Sequence, residues 1–194
     1  MSGDLVRNGF MMAAGAGGAP EIFGWGKNTA GQLGIGDAVT RSSPIQIGSD
    51  DWGLPKPAGV TSLVVTSAGK LYVWGSGALG MNGLSDAVAR SSPVQVGSGT
   101  DWLTVNPGNQ GVSAIKTDGT LWMWGHGTSG QIGDSTVIRK SSPVQVGALT
   151  DWQDSGCGTR ATKALKTDGT LWSWGRNSFG QGGLGTVVQH SSPV

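Results

Sequence analysis

The chain has very little of what builds disulfide frameworks, metal centres and charged surfaces. It contains one cysteine, Cys157, and two histidines among its 194 residues. A single cysteine cannot form an intramolecular disulfide or, by itself, a cysteine-type metal site. Charged residues make up 13% of the sequence, and the net charge is +1. A nearly neutral chain of this kind is not expected to bind nucleic acid through electrostatic attraction.

Long apolar runs are also missing from the sequence. No apolar stretch approaches the roughly eighteen residues that indicate a transmembrane helix, so we expect no association with a membrane. The N-terminal sequence MSGDLVRNGFMMAAGAGGAP has an apolar stretch only at residues 10–14. Asp4 lies where a signal peptide carries basic residues. We therefore expect a chain without an export signal.

Glycine is present in great excess, with 36 residues, and it belongs to an internal repeat. Three markers, Trp-Gly, Ser-Ser-Pro and Asp-Trp, recur in the same register. The Trp-Gly tryptophans are spaced by 49, 50 and 50 residues, at Trp25, Trp74, Trp124 and Trp174. A period of about 50 residues without a helical pattern is typical of a propeller or a similar all-β array.

Each repeat predicts four short strands. The first strand begins at Asp-Trp, and the third ends at Trp-Gly. Asp118-Gly119 favours a two-residue type I′ hairpin turn between the second and third strands. The fourth strand is predicted to begin at the proline of Ser-Ser-Pro, where Val144 and Val146 alternate with a polar residue. Because proline cannot donate to a β-ladder, this strand is predicted to lie at the sheet edge.

The stretch ALKTDGTLWSWGRNSFGQGG, followed by SSPV, resembles the repeats of the regulator of chromosome condensation family. The resemblance covers residues 23–194 and implies a β-propeller. With a repeat of 49–50 residues, we expect an all-β array of about four four-stranded blades, the first and last incomplete. Residues 1–22 are predicted to form a Gly/Ala-rich arm or to donate a strand. The short, nearly identical repeats resemble those of bacterial and bacteriophage members.

The number of blades leaves three interpretations open. The family's seven-bladed ring would need about 350 residues at this period. The first repeat lacks a clear first half, and the last stops at Val194. The chain could close as a ring of four blades, form an open arc covered by another subunit, or be a fragment of a longer protein.

Residues 75–80 fit the dinucleotide-binding pattern G-x-G-x-x-G, but no helical pattern follows them. The positions equivalent to Gly77 in other repeats are Asn28 and Asn177. Glycine and asparagine tolerate positive φ, so we interpret this position as a left-handed turn and expect Gly77→Asn to be tolerated. A second tight point in the same loop is predicted at Gly31, Gly80, Gly130 and Gly180. No cofactor is predicted.

No catalytic constellation is predicted either. His126 and His190 lie at non-equivalent repeat positions, which leaves a three-ligand zinc site unsupported. Cys157 is interpreted as a buried small residue rather than a reactive thiol. The aspartates of Asp-Trp are interpreted as hydrogen-bond acceptors in turns or between blades. The paired aromatic residues of the third strand are interpreted as blade-to-blade packing rather than a ligand platform.

One recurrent position is a candidate for partner binding. Basic side chains stand immediately before Ser-Ser-Pro, at Arg41, Arg90, Lys140 and His190. On a propeller they would form an arc that could engage an anionic surface, although local pairing of each cation with an aspartate is the favoured interpretation. The predicted function is non-enzymatic protein–protein interaction or a structural role in a larger assembly, specifically a bacteriophage virion. The partner would be another protein or further copies of the chain. The alternative is a soluble binding module that inhibits or regulates a partner protein.

Overall fold

The computed structural model describes residues 9–14, 20–48, 51–53 and 55–194, and there the chain is all-β. Four antiparallel sheets follow one another along the chain, each forming one blade. Blade 1 contains β1 (Gly9–Ala14), β2 (Pro20–Gly26) and β3 (Arg41–Gln46). Blade 2 contains β4 (Lys56–Ala58), β5 (Thr61–Val65), β6 (Leu71–Gly75) and β7 (Arg90–Gln95). Blade 3 contains β8 (Trp102–Pro107), β9 (Gly111–Lys116), β10 (Leu121–Gly125) and β11 (Lys140–Gln145). Blade 4 contains β12 (Trp152–Cys157), β13 (Ala161–Lys166) and β14 (Leu171–Gly175).

The two middle blades are four-stranded and the two end blades three-stranded, which confirms the predicted array of about four blades with incomplete ends. β1 pairs with β2 from Gly9↔Trp25 to Ala14↔Pro20, so this part of the segment 1–22 lies in blade 1. The domain boundary after residue 22 stays a prediction. The rest of the predicted arm, residues 1–8 and 15–19, lies outside the described residues.

The Trp-Gly marker lies opposite a β-bulge in the outer strand of the blade. In blade 2, the ladder runs from Val73↔Val94 to Gly75↔Arg90, with a register shift between them. Gly75 has φ +92, and a Cβ there would lie 2.3 Å from the carbonyl oxygen of Val60. Both the positive φ and the close backbone approach require glycine at this position.

The hairpin turn before the third strand differs from the prediction. The N–H of Gly119 donates to the carbonyl of Lys116 at 3.0 Å, so the turn centres on Thr117 and Asp118. Gly119 has φ +78, whereas Asp118 does not have a positive φ. A type I′ turn needs a positive φ at both central residues, so the predicted turn type is wrong. The loop has three residues and ends in a left-handed glycine, and Asp118 Oδ1 accepts the N–H of Thr120 at 3.0 Å.

The strands that contain Ser-Ser-Pro, namely β3, β7 and β11, lie at the edges of their sheets, as predicted. They begin earlier than predicted, however: β11 starts at Lys140, and Pro143 is its fourth residue. Ladder partners are Met123↔Val144 and Gly125↔Lys140, and the residues between Lys140 and Val144 have none because of the bulge. Proline therefore occupies a place where the ladder needs no N–H donor.

Adjacent blades pack against each other through the tryptophans of both markers. Between blades 1 and 2, Trp52 and Trp74 pack with Ile22, and the two indole rings meet edge to face with centroids 6.1 Å apart. The next joints repeat this arrangement at 6.3 and 6.2 Å, with Trp102–Trp124 and Trp152–Trp174. The second tryptophan of each pair is at most 3% exposed. These indoles therefore form the core between blades.

The far face of blade 4 has no neighbouring blade in the described chain. Gly180 and Gly183 have no atom within 4 Å of an added Cβ, whereas their equivalents in blades 1–3 contact the following blade. The described residues therefore form an open arc of four blades rather than a closed ring.

Candidate protein-interaction surface

The loop between the third and outer strands, here called the outer loop, is held by a buried asparagine in blades 1, 2 and 4. The outer loops span residues 27–40, 76–89, 126–139 and 176–189. In blade 1, Asn28 Oδ1 accepts the N–H of Leu33 at 2.9 Å. Its Nδ2 donates to the carbonyl oxygens of Asp37 at 2.9 Å and Val39 at 3.2 Å. Asn177 makes the equivalent bonds in blade 4.

The backbone at the equivalent position of blade 2, Gly77, is not left-handed as predicted. Gly77 has φ −89, so its backbone is not left-handed and that interpretation is wrong. Glycine is required there because an added Cβ would lie 2.6 Å from the Val88 carbonyl oxygen and 2.7 Å from Asn82 Nδ2. Asn82 donates to that carbonyl at 3.3 Å. The amide is thus supplied from a different sequence position.

A second point in the outer loop does have a left-handed backbone. The four glycines at this position have φ between +68 and +75: Gly31, Gly80, Gly130 and Gly180. A Cβ on Gly31 would lie 2.7 Å from Ser91 Cα in the next blade. The outer loop therefore touches the Ser-Ser-Pro segment of the following blade, main chain against main chain.

Three of the four candidate cations pair with an aspartate of their own outer loop. The N···O distances are 2.5 Å for Arg41–Asp37, 2.6 Å for Arg90–Asp86 and 2.8 Å for Lys140–Asp134. The N–H of Val88 and then the Arg90 guanidinium hold the pKa of Asp86 below its usual value. His190 forms an isolated backbone bridge with Gly175. A role of these cations in partner binding stays a prediction, and their pairing leaves little unbalanced charge on the arc.

An exposed aliphatic residue stands two positions before each cation, and the sequence analysis missed it. These four side chains, here called the aliphatic arc, are 57–61% exposed: Val39, Val88, Ile138 and Val188. The Val88 carbonyl accepts from Asn82 and, at 2.9 Å, from Arg90 Nη1. The main chain is therefore held while the side chain faces solvent. The recurrence of an aliphatic residue two positions before each cation could have identified the aliphatic arc from the sequence.

The described residues show no arrangement suited to catalysis. His126 contacts Gln131 and Thr128 through its two ring nitrogens, at 3.0 and 3.2 Å. Burial and then two nearby arginines lower its pKa. Burial raises the pKa of the Cys157 thiol to about 11, so it stays protonated at neutral pH and is a poor nucleophile. No group of three or more His, Cys, Asp or Glu side chains in the described chain could hold a metal ion.

The aspartates of Asp-Trp serve local contacts. Asp101 Oδ2 lies 3.0 Å from Lys116 Nζ. That ammonium lies 5.0 and 4.6 Å from the ring centroids of Trp102 and Trp122, within cation–π range. Blade 4 repeats the cluster with Asp151, Lys166, Trp152 and Trp172. No helix in the described part of the chain is long and apolar enough to cross a membrane.

The four blades and their exposed outer loops define a propeller-type repeat domain. Two family models, both described as Regulator of chromosome condensation (RCC1) repeat, match residues 21–53 and 118–165, and 156–181. Together they match half of the chain, which therefore belongs to this repeat family. No curated protein matches the sequence.

Solved structures of β-propellers share the fold. Human WBSCR16 is 24% identical with a TM-score of 0.75, over 90% of this chain and 48% of that one. Prp20p of Saccharomyces cerevisiae is 18% identical with a TM-score of 0.76, over 100% of this chain and 51% of that one. Yeast RCC1 bound to Kap60 is 18% identical with a TM-score of 0.73, over 90% and 44%. The chain spans about half the length of these structures.

Proposed function

We propose that the chain is a non-enzymatic protein-interaction subunit of a larger assembly, and that its partner docks on the aliphatic arc. The observation that carries this proposal is the arc itself. Four aliphatic side chains stand at the same outer-loop position of four successive blades, each 57–61% exposed. A partner that spans successive blades would bury these side chains together, as protein-binding surfaces bury exposed apolar groups.

The energetics favour a partner that contacts several blades at once. Burying the exposed part of one Val or Ile contributes about 1 kcal/mol. One such contact is too small to offset the loss of translational and rotational freedom on association. Three or four together contribute about 3–4 kcal/mol, so the arc adds to the contacts of a larger interface rather than supplying the whole affinity. The flanking ion pairs would form a polar rim, which affects association rate and specificity more than affinity.

The test compares two arc positions with an equally exposed residue elsewhere. Val88→Ser with Ile138→Ser removes two central members, 58% and 61% exposed. Leu103→Ser is the matched control, because Leu103 is 60% exposed but lies on β8. We expect the double variant to fold normally and to be lost from the purified native assembly, while the control is retained. Retention of the double variant at the wild-type level would contradict the proposal.

The finer proposal places this assembly in a bacteriophage virion. It rests on the resemblance of the short repeats to bacterial and bacteriophage members, and the comparisons with known proteins do not bear on it. Mass spectrometry of purified particles is the direct test: we expect the chain at a fixed copy number per particle. Absence of the chain from the particles would contradict the virion proposal.

The second candidate is a soluble binding module that regulates one partner. It is supported by the family, since yeast RCC1 is solved in complex with Kap60 and Prp20p is described with its binding to Gsp1p and histones. The regulator would be a free chain that binds its partner in a defined ratio, whereas the structural subunit would sediment with a particle.

A further inference from the structure

Every joint between blades is closed by one tryptophan that enters the outer loop of the preceding blade. The indole N–H of Trp74 donates to the Gln32 carbonyl at 2.9 Å. The next two joints repeat the bond at 3.0 Å, from Trp124 to Met81 and from Trp174 to Gln131. The ring lies over a glycine of the same loop: a Cβ on Gly34 would be 2.9 Å from Trp74. Each blade therefore offers a tryptophan on one side and a receiving loop on the other.

Blade 4 has the receiving loop, but no tryptophan of the described residues enters it. Gln181 and Gly183 stand where Gln32 and Gly34 stand in blade 1. An added Cβ on Gly183 would meet nothing within 4 Å. We call this surface the blade 4 socket; it comprises Leu171, Phe179, Gly180, Gln181 and Gly183.

Exposure at the blade 4 socket differs sharply from that of equivalent positions. Leu171 is 67% exposed, whereas Ile22, Leu71 and Leu121 at the same position are 0% exposed. Phe179 is 83% exposed. An apolar surface built to be covered is therefore open to solvent at this end of the arc.

Blade 1 has a tryptophan without a receiving loop in the described part of the chain. Trp25 is its Trp-Gly tryptophan, and it is only partly buried, whereas Trp74, Trp124 and Trp174 are at most 3% exposed. Trp25 is the first tryptophan of the series, so the described chain holds no earlier blade whose outer loop could receive it. The two ends of the arc are thus complementary: one offers a tryptophan and the other offers its socket.

We propose that two copies of the chain associate head to tail, with Trp25 of one copy docked in the blade 4 socket of the other. The contact would continue a joint that already occurs three times within the arc. A second copy carries the missing group on an equivalent strand, which an unrelated partner would have to reproduce.

The proposal is tested by light-scattering mass across a concentration series, with one variant at each end. Leu171→Asp places a charge in the socket without touching the core, because Leu171 is 67% exposed. Trp25→Ser removes the tryptophan of the other end, and circular dichroism checks that it is folded. Leu103→Asp is the control, at 60% exposure away from both ends. We expect the wild type and control to self-associate, and each end variant to weaken association at least about thirty-fold, as for a central interface residue.

Mixing the variants distinguishes this contact from other modes of association. A Leu171→Asp chain keeps its Trp25, and a Trp25→Ser chain keeps its socket, so the mixture should form a one-to-one heterodimer with a single intact joint. If Trp25→Ser does not fold, Trp25→Phe replaces it, since it keeps a ring but loses the N–H donor. A wild-type chain that stays monomeric at all concentrations would overturn the proposal, as would association unaffected by Leu171→Asp or not restored by mixing.

The head-to-tail contact is independent of the aliphatic arc. Val88→Ser with Ile138→Ser should leave self-association unchanged, because neither residue belongs to the blade 4 socket or adjoins Trp25. Loss of assembly incorporation with intact self-association, or the reverse, therefore separates failure of one proposal from failure of the other.

Discussion

The outer loop of blade 2 is held by an asparagine at a different repeat position from that in blade 1. Moving the asparagine of blade 2 to the blade 1 position tests whether the two positions are interchangeable. Blade 1 has Asn28 and Leu33 at the two positions, and blade 2 has Gly77 and Asn82. Gly77→Asn combined with Asn82→Leu would give blade 2 the blade 1 arrangement. Contrary to the tolerance of Gly77→Asn expected from the sequence, we expect each single substitution to destabilise the protein and the double substitution to recover much of the loss.

The magnitudes follow from the contacts of the loop. A Cβ on Gly77 would lie 2.6 Å from the Val88 carbonyl oxygen and 2.7 Å from Asn82 Nδ2, so Gly77→Asn should cost about 1–3 kcal/mol through overpacking. Asn82 is 1% exposed and donates to Asp86 Oδ1 at 2.7 Å. Its replacement by leucine removes the hydrogen bonds to Asp86 Oδ1 and to the Val88 carbonyl and should cost about 1–3 kcal/mol. Because the side-chain amide introduced by Gly77→Asn can occupy the space that Asn82 leaves, we expect a favourable coupling of about 1–3 kcal/mol.

The assay is urea unfolding of the wild type, both single variants and the double variant. The slope m of the unfolding free energy against urea concentration must be the same for all four proteins, as expected for a common two-state transition. The free energies of unfolding can then be compared directly. A double variant destabilised by the sum of the two single losses would show that the side chains do not share one site. That result would refute the account of the outer loop.

Two further predictions concern single positions. Gly133→Ala should cost about 1–3 kcal/mol more than Gly183→Ala in thermal or urea unfolding. Both glycines have positive φ, but only a Cβ on Gly133 meets Trp174, at 2.5 Å. Equal losses of stability would contradict the open end of blade 4. Burial raises the pKa of Cys157 from 9.0 to about 11, so between these values the unfolded chain has released a proton that the native chain keeps. Stability should therefore fall as pH rises above about 9, by up to about 1.4 kcal/mol per pH unit. Cys157→Ala should remove this part of the pH dependence. If the variant loses stability with pH as steeply as the wild type, the burial of the thiol is refuted.

The repeat made the architecture predictable from the sequence. Three markers in one register establish equivalent positions, so the number of blades, the incomplete ends and the edge strands follow without knowledge of side-chain contacts. The packing role of Trp74 follows in the same way, because a ligand platform has no reason to recur with each bulge glycine.

The wrong predictions concern residues whose presence at a position has two possible physical explanations. Asp-Gly suits both a two-residue type I′ turn and a three-residue loop that ends in glycine, and the difference is the backbone of Asp118, which the sequence does not reveal. Glycine at position 77 was interpreted through its positive-φ tolerance, whereas the cause is the nearby Val88 carbonyl. Such a close approach depends on the path of a distant part of the loop.

The aliphatic arc was missed for a related reason. Whether a valine in a glycine-rich loop is covered or exposed depends on what holds the main chain. Here Asn82 and Arg90 both donate to the carbonyl of Val88, and these bonds turn the side chain towards solvent. Only the recurrence of an aliphatic residue two positions before each cation was visible in the sequence.

The most direct test of the open four-bladed arc is an intrachain distance between its two ends. Spin labels at Lys27→Cys and Phe179→Cys, in a Cys157→Ser background, report this distance by pulsed electron resonance. Labelled chain is diluted with excess unlabelled chain, so that only intrachain pairs contribute. The equivalent positions in adjacent blades, Ala30 and Ser76, provide the reference for two blades in contact. The open arc predicts a distance between the ends clearly longer than this reference, and a distance equal to it would show a closed ring and contradict the account.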